Sequence, residues 1–126
     1  MLFDAFFKTK EPLPKVKNGK WKEFNKHAIL IAEGKYLDDK KHGDWREYFD
    51  SGELMIEESY FHGVQHGRYA SYHKNGIKLS EGYLVFGNRE GEFKVFDWNG
   101  NHIKSLWFVD NELSKIEILN CCAVEP

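Results

Sequence analysis

Six histidines, several of them beside glycines, are the residues of this chain that could do acid–base or metal chemistry. They are His27, His42, His62, His66, His73 and His102. His62 and His66 flank a predicted turn and could approach each other. No carboxylate or thiol lies at a recognised metal-ligand spacing beside them. The spacing favours turn residues, so we predict no metal and no cofactor.

Nucleophilic and phosphate-binding chemistry also lack a signature in the sequence. The serines lie outside any G-x-S-x-G motif, and no glycine run has a Walker spacing or precedes a predicted helix. Neighbouring carboxylates such as Glu57 and Glu58 fall on a predicted strand, where adjacent side chains point to opposite faces. We therefore predict that the protein is not an enzyme.

Composition narrows the classes of partner. The chain has 126 residues, the length of one domain, and its net charge of -2 gives no basic footprint for nucleic acid. No apolar run is long enough to span a bilayer, and the initial MLFDAFF is too short for a signal-peptide core. The adjacent Cys121 and Cys122 indicate reduced, incidental thiols. These features predict a cytoplasmic protein that does not bind nucleic acid.

The histidines and glycines belong to a repeat with a fixed period of 24 residues. Its four units are 19–42, 43–66, 67–90 and 91–114. The units predict the domain organisation: residues 1–18 form an N-terminal capping segment, the repeats follow, and residues 115–126 form a C-terminal strand or tail.

Each unit carries the same residue types at the same positions. Position one is Gly19, Gly43, Gly67 and Gly91. Position three is aromatic: Trp21, Trp45, Tyr69 and Phe93. Position six is aromatic: Phe24, Tyr48, Tyr72 and Phe96. Position ten is glycine except at Ala28, positions thirteen and nineteen are apolar, and position fifteen is Glu33, Glu57, Glu81 and then Ser105.

The pattern of each unit predicts a β-hairpin. In three units a short aromatic-rich strand precedes SG or NG, which favours a two-residue type I′ turn, and a second strand follows; HGVQHG and FGNREG then supply a second glycine turn. Four hairpins give an all-β fold, an elongated antiparallel sheet of eight strands. Residues 115–120 could add a last strand. An open sheet has two edges, and an uncapped edge could pair two copies of the chain.

Positions three and six supply candidate binding rows, and position fifteen supplies an acidic row. Either the two aromatic rows lie on opposite faces of the sheet, or a bulge brings them to one face. For any single aromatic residue, a place in the core is the favoured interpretation. Glu33, Glu57 and Glu81 could bind a basic surface or form a solvated face, with Lys78, Lys94 or Lys104 as counter-charges.

The glycine-punctuated hairpin resembles the membrane occupation and recognition nexus (MORN) repeat, and most closely its bacterial variant, G-x-W-x-x-Y-x-x-x-G. The second unit shows the motif as Gly43, Trp45, Tyr48 and Gly52. The resemblance covers residues 19–114 and implies a sheet used for binding, with no catalytic residues. It also implies scaffold roles, some lipid association and, in the bacterial variant, antitoxin or immunity roles. Choline-binding repeats are similar too, but they belong to secreted proteins.

The combined expectation is a non-enzymatic module for protein–protein interaction. The role favoured by the resemblance is a bacterial antitoxin or immunity protein that binds and neutralises a toxin. The alternative is a scaffold on an anionic membrane surface, which would use the lysines of the first 26 residues behind MLFDAFF. Peripheral membrane contact is the less favoured of the two hypotheses.

Overall fold

A computed structural model describes residues 16–119, which form one open antiparallel sheet without a helix. Its strands are β1 Gly19–Phe24, β2 Leu30–Leu37, β3 Lys40–Lys41, β4 Gly43–Tyr48, β5 Leu54–Phe61, β6 Val64–Tyr72, β7 Lys78–Val85, β8 Asn88–Phe96, β9 His102–Val109 and β10 Glu112–Ile118. Apart from β3, which pairs with β2, the strands are ordered as in the sequence. The predicted all-β sheet of consecutive hairpins is confirmed.

The described residues cover the repeats and part of each flank. Most of the predicted capping segment, Cys121 and Cys122 lie outside them. The last strand that the sequence suggested is present as β10, paired with β9. The short β3 and β4 are separated at His42, where the equivalent β6 and β8 are continuous. The sheet therefore exceeds the eight predicted strands.

The predicted type I′ turns at SG and NG are wrong. Between β4 and β5, the N–H of Gly52 donates to Phe49 O at 2.8 Å, and the N–H of Phe49 donates to Glu53 O at 2.8 Å. Gly52 has a positive φ of 103°, whereas Ser51 does not have a positive φ. The loop is thus a longer turn that ends in a left-handed residue. The SG and NG pairs fit this turn as well as they fit type I′, since both need glycine at the left-handed position.

Two-residue turns with positive φ at both positions occur instead at the other end of the hairpins. Phe61 pairs with Val64 across His62 and Gly63, whose φ values are 46° and 87°. The equivalent pairs in the other units are Asp38–Asp39, Phe86–Gly87 and Asp110–Asn111. Aspartate and asparagine tolerate this conformation better than most residues, which explains the two turns that lack glycine.

A bulge in each unit leaves the two aromatic rows on opposite faces. Glu47 pairs with Ile56 and Tyr48 with Leu54, so Met55 is an extra residue in β5. The same shift makes Ile31, Leu79 and Ile103 the extra residues of β2, β7 and β9. Because the bulge lies in the second strand, side chains along the first strand still alternate. The apolar thirteenth position of the repeat is this bulge residue.

The third-position row packs on one face of the sheet, which we call the core face. Trp45 is 1% exposed, and its indole N–H donates to Lys35 O at 2.8 Å. Further along, Phe93, Leu84 and Phe108 form a buried cluster with Tyr69 and Leu106 packed against it. The favoured interpretation of these aromatic residues as core is therefore correct for Trp45 and Phe93.

Two strand glycines let the aromatic rings lie flat on the sheet. A Cβ added at Gly34 would lie 2.2 Å from the Trp45 ring, and one at Gly82 would lie 2.6 Å from the Phe93 ring. Both distances are far below a van der Waals contact. The rings therefore cover the backbone of the preceding strand, and within residues 16–119 the large aromatic surfaces are buried against the sheet itself.

Candidate functional site

The opposite side of the sheet, which we call the charged face, carries a ladder of side chains that crosses the strands in register. Successive residues are direct partners on neighbouring strands, and such partners share a face. The ladder runs Lys22, Glu33, Arg46, Glu57, Ala70, Glu81, Lys94, Ser105 and Glu117. It includes the whole predicted acidic row.

Sixth-position tyrosines fix two of these carboxylates. The Tyr72 hydroxyl donates to Glu57 Oε1 at 2.5 Å, and the Tyr48 hydroxyl donates to Glu33 Oε2. Each bond joins a unit to the preceding unit. Phe96 has no hydroxyl, and Lys78 holds Glu81 instead, with an Nζ to Oε2 distance of 2.7 Å. The acidic row is therefore already engaged by groups of its own chain.

The titration of Glu57 and Tyr72 reflects this hydrogen bond. The pKa of Glu57 is lowered, mainly by the Tyr72 hydroxyl and further by Arg46, whose Nε lies 3.1 Å from Oε2. Burial raises the pKa of Tyr72 to about 12, assisted by Glu57. Lys78 likewise lowers the pKa of Glu81. The pair thus favours a neutral phenol and an ionised carboxylate at neutral pH.

A groove of about 530 Å³ opens on the charged face around Ala70. Its lining includes Arg46, Glu57, Tyr72, Glu81 and Lys94. The further lining residues are Asp44, Trp45, Glu58, Ser59, Arg68, Tyr69, Lys78, Gly82, Tyr83 and Glu92. Ala70 occupies the ladder position where the other units place Lys22, Arg46 and Lys94, so the groove opens where a long cation is replaced by a methyl group.

Of the candidate residues predicted from the sequence, the structure brings some together in the groove and places others in the core or elsewhere on the surface. Trp45 and Phe93 are buried, whereas Trp21 and Phe24, at the first strand, are 36% and 57% exposed. Tyr72 and the acidic residues Glu57 and Glu81 meet in the groove, and Trp45 and Tyr69 also border it. Tyr48, Phe96 and Glu33 are not among the lining residues. Of the three lysines predicted as counter-charges, Lys104 pairs with Val95 in a different row.

Sequence reasoning missed Arg46, Arg68 and Tyr83 as groove residues. A signal for them exists in the repeat, because positions two, four and six of the first strand and fifteen and seventeen of the second share the charged face. Finding them required knowing that the bulge falls in the second strand. Without that fact, the residues of the second strand could not be assigned to one face of the sheet or the other.

The histidines at the unit boundaries accept hydrogen bonds from backbone N–H groups of the two-residue turns. The N–H of His62 donates to His42 Nδ1 at 3.1 Å, and the N–H of Phe86 donates to His66 Nδ1 at 3.0 Å. The outer units use other acceptors for the same bond: Asn18 Oδ1 at 3.0 Å and Glu90 Oε1 at 2.5 Å. Every donor is a residue with positive φ that begins a two-residue turn. The interpretation as repeat-position turn residues is confirmed for His42 and His66.

Apolar side chains are exposed along the edge formed by the two-residue turns. We call this surface the turn rim: Phe61, Val64, Val85, Phe86 and Val109, which are between 41% and 61% exposed. Phe86 stacks on His66 with ring centroids 4.3 Å apart, and Phe61 contacts His62 at 4.5 Å. The nineteenth position of the repeat, apolar in every unit, contributes to this rim.

Two kinds of site are missing from the described part of the chain. Residues 16–119 contain no group of three or more metal-ligating side chains placed to share an ion. The same residues include no helix of the length and hydropathy that a membrane span requires.

Comparison with known protein families finds a match over one stretch of the chain. A MORN repeat variant matches residues 41–62. This stretch holds β4, the following turn and β5, and the equivalent contacts recur in the third unit, where Tyr72 takes the role of Tyr48. No curated protein matches the chain.

Proposed function

We propose that this protein is a non-enzymatic module for protein–protein interaction and that the groove on the charged face receives its partner. The observation that carries the proposal is the groove of about 530 Å³, which opens at Ala70 and is bordered by Tyr72, Tyr83 and charges of both signs. Tyrosine and arginine are enriched at protein interfaces. The match to a MORN repeat variant supports an interaction role.

The missing cation at Ala70 indicates the chemistry of the partner. In the second unit, Arg46 lies between Glu33 and Glu57 of the ladder. In the third unit, Ala70 lies between Glu57 and Glu81, so this ladder position holds no long side chain. The cations that reach the two carboxylates, Arg46 and Lys78, come from neighbouring positions. A lysine or arginine of the partner would complete the ladder. The preferred partner is therefore a protein with a basic surface.

The specific role we propose is that of a bacterial antitoxin or immunity protein that binds and neutralises a toxin. Its support is the likeness of the repeats to the bacterial MORN variant, together with a groove suited to a basic surface. A toxin whose active surface is basic would be blocked by such a contact. The same support predicts binding without chemical change of the partner.

The test places a long side chain of the protein itself in the groove. Ala70→Lys supplies the missing cation, and Asn99→Lys adds the same charge at an exposed turn outside the groove lining. A partner recovered from the source cell is titrated calorimetrically against each variant. We expect Ala70→Lys to weaken binding about tenfold or more, and Asn99→Lys to leave it unchanged. Equal binding by Ala70→Lys would exclude the groove, and affinities no tighter than micromolar would exclude the antitoxin role.

The turn rim favours a second candidate function, contact with a membrane surface. Phe61 and Phe86 are 47% and 61% exposed at the tips of neighbouring turns, and aromatic side chains partition well into lipid interfaces. Sedimentation with anionic vesicles tests this function. We expect Phe61→Ser and Phe86→Ser to reduce the bound fraction, and Trp98→Ser, at the opposite turns and 55% exposed, to leave it unchanged. No sedimentation of the wild type would exclude it.

A further inference from the structure

The free edge of β10 carries a second interaction surface, independent of the groove. Within residues 16–119, β10 pairs with β9 on one side, and no strand lies on its other side. Leu113, Ile116 and Ile118 are 51%, 54% and 72% exposed. An exposed apolar strand edge is a template for pairing with another chain.

The hydrogen-bond pattern shows which backbone groups of β10 are free. The N–H of Leu119 donates to Ile103 O at 2.9 Å, so Leu119 and Glu117 direct their backbone groups toward β9. In an antiparallel ladder, alternate residues direct these groups to opposite sides. Ile116 and Ile118 therefore present their N–H and C=O groups at the open edge.

The side chains of β10 alternate between the two faces of the sheet. Ile116 pairs with Leu106 of β9 and extends the apolar core face. Lys115 and Glu117 lie on the charged face, with Lys115 Nζ 3.3 Å from Glu117 Oε2. The edge strand thus has an apolar side and a side with one charge of each sign, spaced two residues apart.

We propose that a second copy of this chain pairs with β10, antiparallel and with the two-fold axis at Ile116. In this register, Ile116 of each copy exchanges two backbone hydrogen bonds with the other. Lys115 of one copy lies opposite Glu117 of the other, and the reverse. Moving the axis to Glu117 would place two glutamates face to face, so the charges select the register at Ile116. A two-fold contact uses both β10 edges and closes the assembly.

β1, the other edge strand among residues 16–119, is a poorer template for pairing. β1 is exposed along its whole length and carries Lys20 and Lys22 among its six residues. Lysines on an edge strand oppose association with another copy. The proposed dimer therefore leaves β1 free, and it leaves the groove on each copy accessible to the partner proposed above.

The first test is the concentration dependence of mass. Sedimentation equilibrium of the full chain, over about a hundredfold range of concentration, should show the mean mass rising from the monomer value of 14.8 kDa toward twice that value. A monomer at every concentration would refute the dimer.

The second test uses a charge exchange on β10. Lys115→Glu and Glu117→Lys each place like charges opposite each other in the dimer, and each should weaken self-association about tenfold. An equal mixture of the two variants should restore dimers, because the unlike charges then face each other. Both side chains are exposed, 62% and 45%, so folding should not change, as circular dichroism can verify.

The control separates this edge from the other. Lys20→Glu makes the same charge change on β1 and should leave the dimer unaffected. A dimer that is lost in Lys20→Glu would locate the contact at β1 and refute the proposal. So would self-association that neither β10 variant weakens, or a mixture that remains monomeric. Binding of a partner at the groove is a separate measurement, so either proposal can fail alone.

Discussion

A single residue with left-handed backbone closes the turn between the first and second strands of each repeat unit. At the tenth position of the repeat, three units place glycine with φ values of 88–103°, and the first unit places Ala28 with a φ of 62°. Its N–H makes the same turn bond as its glycine counterparts, to Asn25 O at 3.0 Å. The alanine thus accepts a conformation that its Cβ disfavours.

Replacing this alanine should stabilise the protein. Ala28→Gly removes the steric strain, partly offset by the greater freedom of glycine in the unfolded chain, and should add about 0.5–1 kcal/mol to the free energy of unfolding. Urea denaturation measures the change. Gly52→Ala, the reverse substitution at the equivalent position, should destabilise the protein. A loss of stability in Ala28→Gly would contradict the assignment of strain.

The contribution of the turn hydrogen bonds at the unit boundaries can be tested by exchanging one acceptor for another that the chain already uses. His42→Ala leaves the N–H of His62 without its partner and should cost about 1 kcal/mol of unfolding free energy. His42→Asn should recover most of this, because Asn18 accepts the equivalent bond in the preceding turn. Thermal unfolding of both variants measures the loss of stability and its recovery. Equal losses would show that the imidazole acts through ring packing instead.

Removing the Tyr72 hydroxyl should change the acid stability of the protein. The lowered pKa of Glu57 gives stability that is present above the ordinary carboxylate pKa and is lost as pH falls through the lower folded value. Tyr72→Phe should raise the pKa of Glu57 and remove part of this acid dependence. The raised pKa of Tyr72 gives stability present below its ordinary value and lost as pH rises through about 12, and this alkaline dependence should also disappear.

Carboxyl NMR titration and unfolding at a series of pH values measure both effects. At neutral pH the loss should be about 0.5–1 kcal/mol, since the Glu57 side chain is 36% exposed and solvent weakens the interaction. Tyr83→Phe is the control, a tyrosine that lines the same groove and is 55% exposed. An unchanged Glu57 pKa in Tyr72→Phe would contradict the assigned cause.

At the scale of elements, ring and glycine pairs connect neighbouring strands. The Trp45 ring lies on Gly34, so Gly34→Ala forces the ring or the strand to move and should cost about 1–3 kcal/mol. Denaturant unfolding measures the cost. In a Trp45→Val background the cost should fall, because the clash is gone. An equal cost in both backgrounds would show that the glycine is needed for another reason.

The elements could be predicted from the sequence more fully than their turns or faces. The period placed every hairpin, because aromatic strands and glycine turns recur without a gap. The turn types were exchanged, since Asn75 and Gly76 satisfy two turn geometries and only the loop length distinguishes them. The faces stayed open because the bulge at Met55 cannot be located without pairing. The groove depends on these faces and on the small side chain of Ala70, so it too required the structure.

At the scale of the whole molecule, the stabilising contacts join segments that are close in the sequence. Strands pair with their immediate neighbours, and hydrogen bonds such as Gly87 N–H to Gln65 O, 2.7 Å, join each turn to the preceding unit. Such an array behaves as a series of coupled units rather than a single closed core. Among residues 16–119 the outer strands are β1 and β10, and their edges determine what can pair with the described sheet.

The turn bonds that recur every 24 residues also make the length of the molecule adjustable. Asn18, His42, His66 and Glu90 are interchangeable acceptors for one kind of donor, so an inserted copy of residues 67–90 would find a bonding partner at both joins. Each insertion adds two strands, about 10 Å, between the first unit and β10. In a dimer that pairs through β10, the number of repeat units would therefore set the distance between β1 of one copy and β1 of the other.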